Sequence, residues 1–378
     1  MVEDEKSKSK EKMDNNIIES DSVAIKSGFE QALFCIGEYS IKIIIQNYLQ
    51  NKINFKNSFF ISKFSKDIVD WSQSLISKDY ILSLEKNVDA HFWYQLYPIL
   101  NENNILIEKF KKTPIDRQKG TIILSSLWDG FGSAIVPALI THSKKSKINS
   151  IAFGILPSQI QPSDAHFNAF SSVGLCLSKN FSPLVLLDRD NIESFVGINL
   201  NGLIIKGNAV INFIFKLIKQ KKSFVQEISE LTRTFNIKSY TVLVAAGASL
   251  GIYGSLEHIL TAILLKPLLR FNFSSSSIIY VIIRIPIKLK KILSKNTIEL
   301  LIANWLKDKV NLKSLQVSEP LYVDSNGDRI DLAVFIGGFD LKEIFSLQKK
   351  KIESVKNNAF KKSLIKKEEW EAITKELN

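Results

Sequence analysis

The sequence predicts an α/β protein, and three observations carry the prediction. Short β-branched or apolar runs at Ala32–Ile36, Ser58–Ser62, Thr121–Leu124, Asn149–Ile155 and Pro183–Leu187 alternate with longer stretches of helical apolar content. Several of these runs are apolar at successive positions, which is the pattern of strands covered on both faces. Glycines punctuate the strand ends, at Gly37 and again at Gly130 and Gly132. That order gives a mainly parallel sheet with helices on both sides.

Taken along the chain, residues 1–22 are charged and carry no apolar run, so they read as a disordered tail and as neither signal peptide nor membrane anchor. The first strand, Ala32–Ile36, meets a tight point at Gly37 and a helix from about Ser40 to Leu49. No glycine follows until Gly120. The strand Thr121–Leu124 leads through WDGFG into a helix over Ile135–His142. A helix over Asp164–Leu177 has Ser163 or Asp164 as its cap, and the strand Pro183–Leu187 stops at Asp188-Arg189-Asp190. Ile198–Lys219 reads as one long helix, apolar all round and so buried on several sides.

The pattern changes after that helix, and the domain boundary belongs there. Residues 23–197 form a first domain, 198–221 a central helix, and 222–340 a smaller α/β domain. The second domain holds strands at Tyr240–Ala246 and Ile278–Ile285, helices through HILTAILLKPLL and Thr297–Lys307, a strand near Leu315–Pro320, and a last strand IDLAVFIGG after the turn DSNGD. From 341 to 378 the chain is lysine-rich. Phe360, Leu364, Trp370, Ile373 and Leu377 fall partly at helical spacing there, which suits either a helix docked on its own body or a tail that captures an adaptor.

With 378 residues, 45% hydrophobic and 23% charged, the chain can bury a large core and is not a disordered protein. Cys35 and Cys176 lie in apolar runs and read as buried thiols in a reducing compartment. The four histidines are scattered, so no metal site is assigned. No apolar stretch is long and unbroken enough to span a bilayer, which makes the cytoplasm the expected location. The net charge of +12 permits contact with anionic partners. No aromatic-plus-basic motif singles out nucleic acid, which is therefore not the expected partner.

Chemistry concentrates where Gly130, Gly132 and Ser133 stand between strand and helix. Glycine lets backbone approach a phosphate closely, and the N–H groups of a helix N-terminus point at the anion. Asp129 in the same turn opposes this, because a carboxylate repels phosphate oxygens unless a cation intervenes. The turn reads either as a plain strand–helix connection or as a phosphate loop that has decayed.

The joint order of LWDGFGSAIVP, PLVLLDRDNI, a helix beginning near Asn201, GASLGIYG followed by LKPLL, and AVFIGGFD resembles the tubulin/FtsZ superfamily over Ala32–Asp340. The resemblance implies a parallel-sheet nucleotide-binding domain, a long central helix and a smaller α/β C-terminal domain. It makes Trp128–Ala134 the glycine-rich signature loop, with Gly130, Gly132 and Ser133 at the phosphates, and Gly37 the glycine of the first-strand loop. It sets Asn168 at an asparagine that follows the ribose loop, Asp188 or Asp190 at the acidic positions after the next strand, and Asn201 at the asparagine that reads the guanine edge. Each also has a plain reading: a helix-surface residue, a turn and a helix cap.

Both phosphate loops have gained bulk and negative charge, so the implied cofactor is GTP or GDP with Mg²⁺, or none. If GTP binds, Trp128 or Phe131 turns outward and Asp129 needs a metal or a basic partner such as Lys206. The family's loop after the central helix supplies acidic residues to the neighbouring subunit's nucleotide. Set on TRTFNIKSYTVL, that register keeps Asn236 but places Lys238 and Thr241 at the acidic positions, and no Asp or Glu occurs between Glu230 and Glu257. Lysine cannot polarise water as a carboxylate does, so no catalytic residue is assigned.

The implied role is a divergent FtsZ-like cytoskeletal or cell-division-associated subunit or scaffold, with weak or no GTP hydrolysis. It would associate head-to-tail with itself or with another FtsZ-like protein, the face near Phe235–Tyr240 meeting the face that bears Gly130 and Gly132. Two other readings are a GTPase whose hydrolytic group lies outside the family pattern, and a basic scaffold that binds nucleic acid.

Overall fold

The computed structural model describes residues 31–51, 57–63, 65–72, 76–84, 90–102, 119–179, 182–200, 202–325 and 327–377. The N-terminal tail at 1–22 and Asn201 lie outside the described residues.

Six parallel strands form the first half of one sheet, in the order β3 (Ile81–Ser83), β2 (Ser58–Ser62), β1 (Ala32–Ile36), β4 (Thr121–Ser126), β5 (Ser150–Leu156) and β6 (Leu184–Asp188). Their registers run in step: Ala32 lies opposite Thr121, Thr121 opposite Ser150, and Ala152 opposite Leu184. Alternate residues of β1 enter different cores. Phe34 and Ile36 join Trp93, Ile135 and Phe167 on one face, while Leu33 and Cys35 join Phe153, Ile211 and Phe224 on the other. This two-sided burial is why the strands read as continuous apolar runs. Each fully buried Ile, Leu or Phe adds about 1.5–3 kcal/mol.

Helices α1 (Glu38–Asn51), α2 (Ser65–Trp71), α3 (Trp93–Glu102), α4 (Gly130–Lys145), α5 (Ser163–Lys179) and the single turn α6 (Arg189–Glu193) follow these strands in alternation. The expected helix over Ile198–Lys219 is then corrected by the structure. Its first part is a hairpin of β7 (Val196–Ile198) and β8 (Ile204–Lys206), closed around Gly202 at φ +80° with Asn199 Oδ1 accepting from the N–H of Leu203. Only α7 (Ala209–Gln220) is helical, starting after Gly207 at φ +53°. The stretch looked apolar all round because two elements of different period were read as one. α7 itself is buried on several sides, through Val210, Ile211, Phe213, Ile214 and Leu217.

The chain breaks at Lys221–Ser223 and continues as α8 (Phe224–Phe235), then as β9 (Ser239–Ser249). β9 joins β6 in parallel at Leu184–Ser239 and Val185–Tyr240, so the sheet passes unbroken into the second half. There β13 (Arg329–Gly337) runs antiparallel to both β9 and β10 (Ile278–Pro286), with β11 (Ser314–Val317) and β12 (Leu321–Val323) beside β10. α9 (Leu250–Tyr253) continues directly from β9, and α10 (Leu256–Leu264) and α11 (Lys295–Leu306) cover this half through a core of Leu260, Ile283, Ile298 and Leu332.

After β13 the chain returns as α12 (Lys342–Ser346), α13 (Lys349–Lys361) and α14 (Lys367–Lys375). Trp370 stacks on Phe167, with centroids 5.6 Å apart and planes 4° from parallel, and lies 5.5 Å from Phe170. Ile373 fills the notch left by Gly174, where any Cβ would come within 2.5 Å of its Cγ2. Trp370 and Ile373 of the tail are therefore spent on α5, while Leu364 stays exposed. Among the described residues no helix is long and apolar enough to cross a membrane, and no group of His, Cys, Asp or Glu gathers to hold a metal ion.

Candidate functional site

The C-terminal ends of β1, β4 and β6 meet at one edge of the sheet, where a parallel α/β fold opens its crevice. Gly37 ends β1 at φ +78°, and a Cβ built on it would sit 3.4 Å from Ser126 Oγ and 3.7 Å from Asp129 Oδ2. The first-strand loop and the turn after β4 thus touch. Gly130, Gly132 and Ser133 form the first turn of α4, and Asp188 ends β6 and caps α6 through the N–H of Asn191.

Asp129 occupies the place where an anion would bind. Its carboxylate accepts the N–H of Gly132 at 2.5 Å and the hydroxyl of Ser126 at 3.2 Å, as a helix N-cap does. Burial pushes its pKa up, opposed by the hydrogen bonds from Gly132 and Ser126 and by the charge of Lys63. The cation acting on it is thus Lys63 rather than Lys206. Ser133 turns its hydroxyl back to the carbonyl of Asp129 at 2.5 Å.

A second barrier lies on Gly130. A Cβ there would come within 2.3 Å of the carbonyl oxygen of Ala90, so the segment leading into α3 rests directly on the turn. Asn168 pins that segment: its Oδ1 accepts from Trp93 N at 3.1 Å, and its Nδ2 donates to the carbonyls of His91 at 2.9 Å and Trp128 at 3.3 Å. At 1% exposure, Asn168 is neither a surface residue nor free to meet a ribose. His91 Nε2 and Asp164 Oδ2, 2.7 Å apart, latch the same segment from outside.

Beside the turn, Tyr39 and Trp128 meet edge to face at 4.9 Å, and the guanidinium of Arg189 lies 5.3 and 5.2 Å from their ring centroids. Arg189 Nε donates to Glu193 at 2.7 Å, and Tyr39 donates its hydroxyl to Asn208 Oδ1 at 2.6 Å. Burial first, and then Glu193, raise the Tyr39 pKa to about 12, so the phenol stays neutral. A flat cation thus rests against the aromatic pair, and these residues as they stand do not fit a nucleoside phosphate.

No family model matches the sequence, and no curated protein matches it. Among solved structures, CetZ from Methanosaeta thermophila strain DSM 6194 matches with a TM-score of 0.63 and 11% identity, over 91% of this chain and 97% of that one. The fold is tubulin/FtsZ-like. At that identity the likeness shows the fold alone.

Within this tubulin/FtsZ-like fold, the sequence expectations divide. Gly37, Gly130, Gly132, Ser133 and Asp188 come together at one edge. Asn168 braces backbone, and Asp190 does so too, accepting from Gln159 N at 3.0 Å. Burial and the neighbouring Asp190 push the Asp188 pKa up. Asn208, next to the start of α7, meets the site through Tyr39; its position directly before the run AVINF was a readable helix-start signal. Tyr39, Ser126 and Arg189 are further site members that were given no role from sequence.

The loop after the central helix is also corrected. Thr232–Leu243 is no loop: it is the last turn of α8, a left-handed Asn236 at φ +53° and the first half of β9. Lys238 donates to Leu177 O at 2.7 Å and pairs with Glu376 at 3.2 Å, while Thr241 donates to Leu186 O at 3.0 Å. The loop that follows α7 is Lys221–Ser223, at the opposite, N-terminal end of the strands. Gln31 Nε2 reaches Lys222 O there at 2.9 Å, and a Cβ on Gly120 would meet Val225 at 2.8 Å.

An acid does stand just beyond that loop. Glu227 takes hydrogen bonds from Ser223, from Tyr280 at 2.7 Å and from Gln316 at 3.1 Å, and pairs with Lys221 at 3.2 Å. Burial works against its charge, but the Ser223 and Tyr280 bonds and then Lys221 hold its pKa below the ordinary value. Its lone pairs are committed within its own subunit.

Proposed function

We propose that this chain is a cytoplasmic, cytoskeletal or division-associated subunit that stacks head-to-tail, with itself or with another FtsZ-like protein, without hydrolysing GTP. The observation that carries the reading is Asp129, whose carboxylate takes the N-terminus of α4 where a phosphate would bind. Arg189 against Tyr39 and Trp128, and Glu227 turned inward, support the same reading.

The two ends of the strands support stacking by their charge. At the N-terminal end Lys119, Lys145, Lys147, Lys221 and Arg233 outnumber Glu227, whereas at the C-terminal end of the first-half strands Asp164, Asp188, Asp190 and Glu193 stand among Arg189, Arg270 and Lys63. A basic end against an end of mixed charge orients a heterologous contact, and a heterologous contact repeats into a filament unless its rotation closes a ring.

Two measurements on the full chain test this together. Calorimetry with GTP, GDP and ATP in the presence of Mg²⁺ is expected to give no guanine-selective binding, and micromolar selective binding would overturn the reading of Asp129 as the occupant of the phosphate position on which the non-hydrolysing part rests. Sedimentation and electron microscopy without nucleotide are expected to show assemblies that grow with protein concentration and shrink with salt. A monomer at every concentration would overturn the assembly part.

A further inference from the structure

The second half of the sheet ends in a surface where lysines and exposed apolar side chains stand together. Between Glu257 and Glu299 the chain carries seven Lys or Arg and no Asp or Glu. One of these, Arg284, is buried against Asp331 and so does not contribute to the surface. Three others crowd the loop that follows β10, Ile287-Lys288-Leu289-Lys290-Lys291-Ile292, where all three lysines are exposed. Ile287 is 56% exposed and Ile292 66% exposed between them.

The pairing register brings further apolar side chains to the same end. Pro286 lies opposite Val323 and Ser249 opposite Arg329, so α9, which continues from Ser249, shares this edge and carries Ile252 at 77% exposure. The tip of the β7–β8 hairpin reaches it too, because a Cβ on Gly247 would strike the carbonyl oxygen of Ile198 at 2.0 Å, and the exposed Leu203 stands in that tip. Of the carboxylates here, Asp328 is held by Ser249 Oγ and Gly251 N, both at 2.6 Å. Asp324 and Glu319 are exposed at the two ends of β12, two carboxylates beside three lysines.

We infer that this end of the protein docks on an anionic lipid bilayer, with Ile287, Ile292 and Ile252 entering the headgroup–acyl boundary and Lys288, Lys290 and Lys291 meeting the lipid phosphates. The chemistry selects a bilayer over a protein partner. Lysine is depleted from protein–protein interfaces, especially from their dry cores. A bilayer interface takes lysine and isoleucine side by side, since the ammonium stays at the headgroups while the apolar chain goes deeper. Nucleic acid would use the lysines but give the exposed isoleucines nothing to bury against. The inference uses none of the crevice residues at β1, β4 and β6 nor the basic end of the strands, although β9 and β10 run parallel to β6 and so end on the same side of the sheet as that crevice.

The test is flotation of the full chain with phosphatidylcholine vesicles that contain or lack phosphatidylserine, at low and high salt. Binding is expected only with phosphatidylserine, and high salt should weaken it. Replacing the three lysines together (Lys288→Gln, Lys290→Gln and Lys291→Gln) is expected to lower vesicle affinity on the order of a hundredfold. The pair Ile287→Ser and Ile292→Ser keeps every charge and is expected to lower it at least about tenfold. All five positions are water-facing, so an unchanged thermal melt checks that the variants fold. Equal binding to both vesicle types, or full binding by both variants, would overturn the inference. So would a serine pair that abolishes self-sedimentation but leaves vesicle binding intact, because that outcome assigns the surface to a second copy of the chain.

Discussion

Asp129 and Glu227 stand at opposite ends of the same parallel strands, one in the turn after β4 and the other in the first turn of α8, and both are carboxylates satisfied from within. They differ in what satisfies them. Asp129 is held by one backbone N–H and one hydroxyl of its own turn, and burial wins, so its pKa rises. Glu227 is held by side chains from two strands and a loop, Tyr280 of β10, Gln316 of β11, and Ser223 and Lys221, and its pKa falls. Asp129 is thus a local helix cap, whereas Glu227 is a cross-brace between α8 and the second half of the sheet.

The largest expected effect comes from breaking the brace. Glu227→Ala leaves the Tyr280 hydroxyl, already buried, without its acceptor and Lys221 without its partner, so it should cost about 2–3 kcal/mol in urea unfolding. A loss under half of that would mean that water replaces the carboxylate, and the brace would then be no more than a surface pair.

The acid limb of stability separates the two carboxylates by sign. Glu227 has a folded pKa below its unfolded value of 4.5, so its contribution is present above that pH and is lost as pH falls through the folded pKa. Asp129 has a folded pKa above its unfolded value of 3.8, so the folded state binds the extra proton and gains stability as pH falls through the raised pKa toward 3.8. Glu227→Gln should flatten the acid loss of stability, and Asp129→Asn should steepen it while changing stability near neutral pH by less than about 1 kcal/mol, since asparagine still caps the helix. Parallel shifts of both variants in acid titration followed by circular dichroism would erase the distinction drawn here.

Asp129→Gly goes further, because it empties the N-terminus of α4 rather than only discharging it. The lost cap should itself cost only about a few tenths of a kcal/mol when glycine replaces it, and the buried Ser126 hydroxyl, losing its acceptor, should bring the total to about 1 kcal/mol; the freed N–H groups should then take up inorganic pyrophosphate, read by calorimetry against the unaltered chain. No uptake would show that the segment over Gly130, pinned by Asn168, closes the turn without help from Asp129.

How much of this was legible follows from how far apart the partners lie. The strands of the first half were readable because both faces are buried, and Gly37, Gly130 and Gly132 because strand–helix turns need glycine locally. The hairpin at Val196–Lys206 was misread because Val196, Leu203 and Ile204 are apolar yet exposed, and pattern reading takes apolar residues for core. The helix read from sequence ends at Lys219, close to the break at Lys221–Ser223, but α8 was not read although Ser223 and Gln226 stand at capping-box spacing, and the loop was therefore set one helix too late. Asn208 meets Tyr39 across 169 positions, and Glu227 meets Gln316 across 89; such pairs exist only once the sheet has formed.

The smallest expected effect is at Arg189, and it probes the same comparison from the aromatic side. If Arg189 fills a slot beside Tyr39 and Trp128 as Asp129 fills the anion position, removing it should open that slot at little cost. Arg189→Gln gives up two cation–ring contacts at a partly exposed site and the hydrogen bond to Glu193, about 0.5–1 kcal/mol in all. It should change the fluorescence of Trp128, measured as a difference against Trp128→Phe. If the slot opens, an added planar cation such as guanidinium at low concentration should reverse that change in Arg189→Gln and leave the unaltered chain unaffected. A change that guanidinium does not reverse would mean that Tyr39 and Trp128 close on each other once Arg189 is gone. The guanidinium would then be a wedge that shapes the aromatic pair rather than an occupant of a preformed slot.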